Sequence, residues 1–144
     1  MQVDIAIVGG GLVGGALAAA LAGSGLQTAL VEPKAPAALP ATGFDLRIYA
    51  LNPRCLAFLG RCGVLARLVP GRVAPVRDMR IFGDDGKSEL AFSAYRNGVL
   101  ELAAIVEEAN LQQALRQVLD GQTGLVQWRG VECAHAEWGE KTNV

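Results

Sequence analysis

An unbroken apolar run, Ile5-Ala6-Ile7-Val8, follows a polar start at Asp4. A run of that length suits a short buried strand. Glycines come next at Gly9, Gly11 and Gly14, and small apolar residues from 12 to about 24 predict a helix. Ala18 and Leu21 lie four and seven places after Gly14, on one helix face with the spacing that packs on a sheet. Gly25 stands where a glycine closes a helix. A second apolar run, 28–31, predicts a strand that stops at Glu32. The order is strand, glycine turn, helix, strand, acid.

Further along, residues 33–44 have no period and three prolines, and read as a loop. Residues 45–51 are mostly apolar apart from Asp45 and Arg47, so the segment looks buried. Asn52 is a good helix N-cap and Pro53 suits the first helical position. The predicted helix runs to about Cys62, with Cys55, Leu56 and Leu59 inward and Gly63 closing it. Residues 64–69 predict a short helix stopped by Pro70. Alternation over 76–82 predicts a strand with Val76, Met79 and Ile81 toward the core. Asp84-Asp85-Gly86 makes a turn, and 89–92 returns as the second strand of a hairpin. That hairpin suggests an inserted second sheet. Residues 102–106 predict a core strand, and Leu111, Ala114, Leu115, Val118 and Leu119 form the stripe of an amphipathic helix. Gly121 and Gly124 close that helix. Residues 125–128 and 131–138 are weaker strand candidates, and 139–144 are polar and carry no signal.

The opening pattern matches a dinucleotide-binding βαβ unit, and each part has a physical reason. Gly9 allows a tight turn, Gly11 lets a pyrophosphate approach the backbone, and Gly14 lets the helix lie close on the sheet. The helix aims free N–H groups and a positive dipole end at the phosphates. Glu32 offers a carboxylate to the adenosine ribose.

Composition narrows the partners. A chain of 144 residues is long enough for one domain with a real core, and its formal net charge of −1 makes no case for nucleic acid. Hydrophobic residues at 51% against 19% charged argue against disorder. Three cysteines, Cys55, Cys62 and Cys133, are too few for a disulfide framework, and His135 completes no familiar zinc spacing with them. Residues 12–26 resemble a signal-peptide core but lack a basic flank and follow Asp4. No apolar run spans a bilayer. The expected location is cytoplasmic. Arg47 has two level readings: a salt bridge to Asp45 or an exposed edge, or a cation that meets a phosphate or a flavin edge. Glu107 and Glu108, adjacent at a helix start, read as carboxylates favoured by the helix dipole. No residue pattern suggests a catalytic triad or a metal site.

Together, the glycine unit, the D-L-R-I-Y-A-L-N segment and I-V-E-E-A-N-L-Q-Q-A-L carry a family resemblance. The chain resembles the flavin-dependent aromatic hydroxylases of ubiquinone biosynthesis, relatives of p-hydroxybenzoate hydroxylase, from Val3 to about Leu119. The resemblance implies an α/β fold: a Rossmann-like FAD-binding βαβ domain with an inserted β-hairpin from a substrate-domain sheet, incomplete relative to the family. It implies FAD-binding parts at 1–73 and 97–144, with the substrate-domain hairpin at 74–96. Gly9, Gly11, Leu12, Val13 and Gly14 would hold the FAD pyrophosphate, Glu32 the ribose, and Arg47 would lie against the FAD. The parent would be a monooxygenase that uses NAD(P)H and O2 to hydroxylate a prenylated phenol. Contact with a membrane surface or a biosynthetic complex is implied, together with self-association through faces left bare. The family usually has an asparagine and an arginine after Glu107, whereas this chain has Glu108 and Ala109. The family's later Asp-Gly and G-D-A-A-H segments are not in these residues, so the resemblance implies an N-terminal portion, about a third of a member. Two readings stand beside it: a non-catalytic nucleotide-binding fragment, and an NAD-dependent oxidoreductase fragment built on the same βαβ unit.

Overall fold

A computed structural model describes residues 2–34 and 38–136. The elements begin with β1 (Ile5–Val8), α1 (Leu12–Ala20) and β2 (Thr28–Glu32). They continue through β3 (Ile48–Leu51), α2 (Pro53–Arg61), β4 (Val73–Val76), β5 (Asp78–Phe82) and β6 (Glu89–Ser93). The chain then forms β7 (Ala103–Glu107), α3 (Glu108–Leu119) and β8 (Leu125–Arg129).

Strands β1, β2 and β8 form a parallel sheet in that order. Strand β2 is its centre, and Thr28 to Val31 are all buried, as an unbroken apolar strand between two neighbours should be. The weaker strand expected at 125–128 is the third member of this sheet, whereas 131–136 form no strand and the rest of that candidate lies outside the described residues. A second sheet, β3-β7-β4, is antiparallel, and β5 and β6 make a separate hairpin. Helices α1 and α3 pack together: a Cβ at Gly15 would stand 3.6 Å from Leu115 and 3.8 Å from Leu119. The buried face of α1 is Gly15, Ala18 and Ala19, which have little area to bury. The packing energy therefore comes from Leu111, Leu115 and Leu119 of α3, each contributing about 1.5–3 kcal/mol, in one core with Ile7 and Leu30.

Several expectations fail in instructive ways. Helix α1 ends at Ala20, four residues before the expected end, and Gly23 and Gly25 both adopt positive φ in the turns that follow. Gly25 therefore shapes a loop and does not close the helix. The Gln122 side chain donates to the Ala18 carbonyl at 2.9 Å, satisfying an acceptor at that helix end. Asn52 caps α2 as expected, accepting from the Cys55 N–H at 2.9 Å, but Cys55 itself is exposed. The expected helix over 64–69 is a 3-10 turn, Leu65–Arg67, held by the fully buried Val64. Met79 and Ile81 are not core residues; they are 38% and 48% exposed, because β5 has only β6 as a neighbour. The 45–51 segment is likewise open, with Leu46 at 98% exposure.

The hairpin turn is well built despite its exposure. Asp85 accepts from the Ser88 hydroxyl and from the N–H groups of Ser88 and Lys87, which lowers its pKa to about 2.

Candidate cofactor site

The end of β1 delivers the chain into a turn that only glycine makes easily. Gly9 has φ +102, and its N–H donates to the Val31 carbonyl at 2.8 Å. Gly11 is the N-cap of α1, and no side chain caps that helix. A Cβ at Gly11 would meet nothing within 4 Å, so the space beyond the first turn is open. Leu12 is half-buried against the core and Val13 is 86% exposed; as first-turn residues, both have backbone N–H groups with no partner inside the helix. Gly14 lies so close to the turn that a Cβ would stand 1.8 Å from the Gly9 carbonyl oxygen.

Glu32 reaches back across this turn. One carboxylate oxygen accepts from the Gly10 N–H at 2.6 Å and the other from the Lys34 N–H at 2.8 Å. The acid thus braces the glycine turn, a role that strand-end position alone did not suggest. A carboxylate has about four acceptor positions, so two remain for ribose hydroxyls.

Of the expected site residues, Gly11, Glu32 and Arg47 line one cavity of about 360 Å3, at the small end of ligand sites, which run about 300–1,000 Å3, whereas Gly9, Leu12, Val13 and Gly14 are not among its lining residues. Gly10, Gly11 and Glu32 line it, with Lys34, Arg47 and Arg129 as cations around the rim. An open helix N-terminus, a glycine without a side chain, a carboxylate and surrounding cations fit the phosphates and ribose of a dinucleotide. Gly9 and Gly14 shape the turn behind this space. Arg116 also lines the cavity, and its Nε is buried with no hydrogen-bond partner among the described residues. Arg116, Gln127 and Arg129 escaped the sequence reading because α3 and β8 meet the glycine turn only in the folded chain.

Arg47 lines the cavity with its side chain 78% exposed, paired to Glu108 at 3.4 Å rather than to Asp45. Asp45 has a different task. Its carboxylate accepts from the Arg47 N–H at 3.1 Å and from the Ala109 N–H, also at 3.1 Å, so it caps α3 from 64 residues away. Those two backbone N–H groups, Arg47's first, hold its pKa below the ordinary 3.8. A lowered folded pKa stabilises above the ordinary value and loses that contribution as pH falls through the lowered one. Asp45→Asn is therefore expected to be less stable than the parent at neutral pH, with the gap closing on acidification below 3.8, read by urea melts across that range.

Glu107, read as a carboxylate favoured by the helix dipole, stands at the N-cap of α3 and is also half of a buried ion pair. It is 3% exposed and pairs with Arg72 at 2.7 Å. Its Oε2 also accepts from the Asp45 N–H at 2.6 Å, while Arg72 donates to the carbonyls of Pro40 and Gly43 at 2.7 and 3.2 Å. This buried pair ties the loop before β3 to the junction of β7 and α3.

No family model matches the chain. It is 39% identical over 114 residues to the ubiquinone hydroxylase UbiL of Rhodospirillum rubrum, an alignment covering 78% of this chain and 26% of UbiL. It is 36% identical over 118 residues to the 3-demethoxyubiquinol 3-hydroxylase of Escherichia coli, covering 81% of this chain and 30% of that protein. In fold it is similar to p-nitrophenol 4-monooxygenase PnpA from Pseudomonas putida DLL-E4, with a TM-score of 0.68 at 15% identity over 94% of this chain and 33% of PnpA. The flavin-dependent monooxygenase PieE, solved with FAD and substrate, gives a TM-score of 0.63 at 21% identity over 92% of this chain and 24% of PieE. The chain spans less than a third of the length of either curated relative. By sequence, over the stretch it covers, the chain is homologous to curated ubiquinone hydroxylases.

Proposed function

We propose that this chain is the FAD-binding part of an aromatic hydroxylase that acts on a prenylated phenol precursor of ubiquinone, with NAD(P)H and O2 as co-substrates. One observation carries the reading: the uncapped first turn of α1 opens, across the side-chain-free Gly11, into the cavity that Glu32 also lines. The N–H groups of Gly11, Leu12, Val13 and Gly14 hold the pyrophosphate, Gly9 sets the turn, Glu32 accepts from the ribose and Arg47 adds a cation. FAD, when bound, supplies the redox chemistry with oxygen, and the protein binds, orients and excludes water. No residue of this chain is assigned a catalytic step. Residues 1–73 and 97–144 form the FAD part, and the hairpin within 74–96 belongs to the substrate side.

No helix among the described residues is long and apolar enough to cross a membrane. A prenylated substrate would bring the parent protein to a membrane surface or into a biosynthetic complex. The bare hydrophobic face of the hairpin, with Ile81 at 48% and Leu90 at 61% exposure, favours self-association of the isolated chain.

Fluorescence titration with FAD and with NADH tests the reading. The isolated chain is expected to bind FAD weakly, with a Kd of about 10 μM or higher, in preference to NADH and without hydroxylase turnover. A preference for NADH would support the nicotinamide oxidoreductase reading, since an acid at the end of β2 serves NAD equally well. Binding of neither would sink the cofactor reading. Tight, stoichiometric yellow flavin on the purified chain would overturn the expectation of weak binding.

A further inference from the structure

Glu108 opens α3 at the wall of the proposed FAD cavity, with its side chain 13% exposed. Three donors converge on its carboxylate: Arg47 Nη1 at 3.4 Å, the Tyr49 hydroxyl at 3.4 Å and Gln112 Nε2 at 2.8 Å. The charge is thus fixed in place from two separate segments. The adjacent Glu107 is already matched by Arg72, so Glu108 is the acid of this pair that remains available to Arg47.

The partner it holds is loosely held. A charge-assisted N–H···O bond runs about 2.7–2.9 Å, so a contact of 3.4 Å to an arginine that is 78% exposed is a weak one. A pyrophosphate entering beside Gly11 needs the same guanidinium and meets the same carboxylate. We propose that Glu108 is an internal counter-anion that occupies Arg47 and must release it before an anionic cofactor binds, so that Glu108 sets the affinity of the cavity for phosphate. This rests on the FAD-binding reading above and adds to it a residue that tunes the site. Exchange of one anion for another on a single arginine also keeps the cavity closer to neutral while no cofactor is bound.

The test is Glu108→Gln, which keeps the shape, removes the charge and leaves one acceptor oxygen in place of two. FAD titration by fluorescence is expected to show about fivefold tighter binding, the upper end of what an exposed ion pair contributes. Inorganic pyrophosphate should gain by a similar factor and uncharged adenosine should not change. The gain should shrink in high salt. In an Arg47→Gln background, the same change at 108 should gain less than about twofold, because no guanidinium is left to release. Glu108→Ala is the second variant, and circular dichroism confirms the fold of each. If the parent chain binds FAD and both variants bind it no better, the counter-anion role is wrong while the FAD reading stands. An equal gain for adenosine overturns it too, by showing an effect that is not electrostatic. If neither parent nor variants bind FAD or pyrophosphate, both readings fail together.

Discussion

Gly14→Ala is expected to lose both stability and FAD affinity. The added Cβ would stand 1.8 Å from the Gly9 carbonyl oxygen, 3.0 Å from its carbon and 3.2 Å from Ile7 Cγ2. The first two are backbone atoms, and the backbone there cannot swing aside. Gly9 already uses the positive-φ conformation that turns the chain, and its N–H is tied to Val31. Relief must come from lifting the start of α1 off β1. Overpacking of this kind costs about 1–3 kcal/mol and sometimes more; a clash with main chain belongs at the upper end. For a domain of this size that is a fall in Tm of roughly 10 °C. The lifted helix no longer aims its first N–H groups where Glu32 faces them, so FAD affinity should drop more than about tenfold. Gly11→Ala separates the two effects. Its Cβ enters open space from an ordinary backbone conformation, φ −65, so stability should fall by no more than about 1 kcal/mol, the difference between glycine and alanine at an N-cap. FAD affinity should nevertheless fall, because the methyl group occupies the approach of the phosphates. Thermal melts and flavin titrations on the two variants check both halves, and equal stability losses would contradict the geometry.

Glu107→Gln is expected to destabilise the chain by about 3–5 kcal/mol, the usual cost of removing one partner of a buried ion pair. Arg72 would retain the Pro40 and Gly43 carbonyls and the Phe44 ring, 5.8 Å from its guanidinium carbon. No carboxylate would balance its charge at 16% exposure. A loss of that size is a large part of the whole stability of a domain this long. Loss of the clamp frees the loop before β3, and with it Asp45 and Arg47. Faster protease cleavage between residues 38 and 47 should accompany the lower urea midpoint. Replacing both partners, Arg72→Met with Glu107→Leu, should recover much of the loss, since an apolar pair of similar volume leaves no charge buried alone. A double variant as unstable as the single one would show that the loop contacts, not the charge balance, carry the energy.

The misread positions share one cause. Alternation at Met79 and Ile81 and the apolar character of 45–51 report a tendency to be buried, but burial needs a neighbour. Strand β5 has β6 on one side and no other strand, and Leu46 meets nothing that covers it. Cys55 faces outward for a similar reason: seven-residue spacing places it with Cys62 on one face, but of the two only Cys62 packs against the core, with Leu56 and Leu59. Small residues hid the early end of α1. Alanine and glycine continue past Ala20 with no change of pattern, and the turns at Gly23 and Gly25 follow from how the chain must come back to start β2.

What could be read from the chain alone was local. The glycine spacing, the run of β2 and the stripe of α3 are set by periods of a few residues, and the glycine turn, the start of its helix and the following acid stand where those signals put them. The tertiary structure decided the long-range contacts of the charged side chains: Glu32 bracing Gly10 across 22 residues, Arg72 meeting Glu107 across 35, Glu108 holding Arg47 across 61 and Asp45 capping α3 across 64. A short-range pattern records which residues prefer burial or a turn. Which carboxylate meets which cation depends on how the sheets and helices pack, and no repeat along the chain encodes that distance.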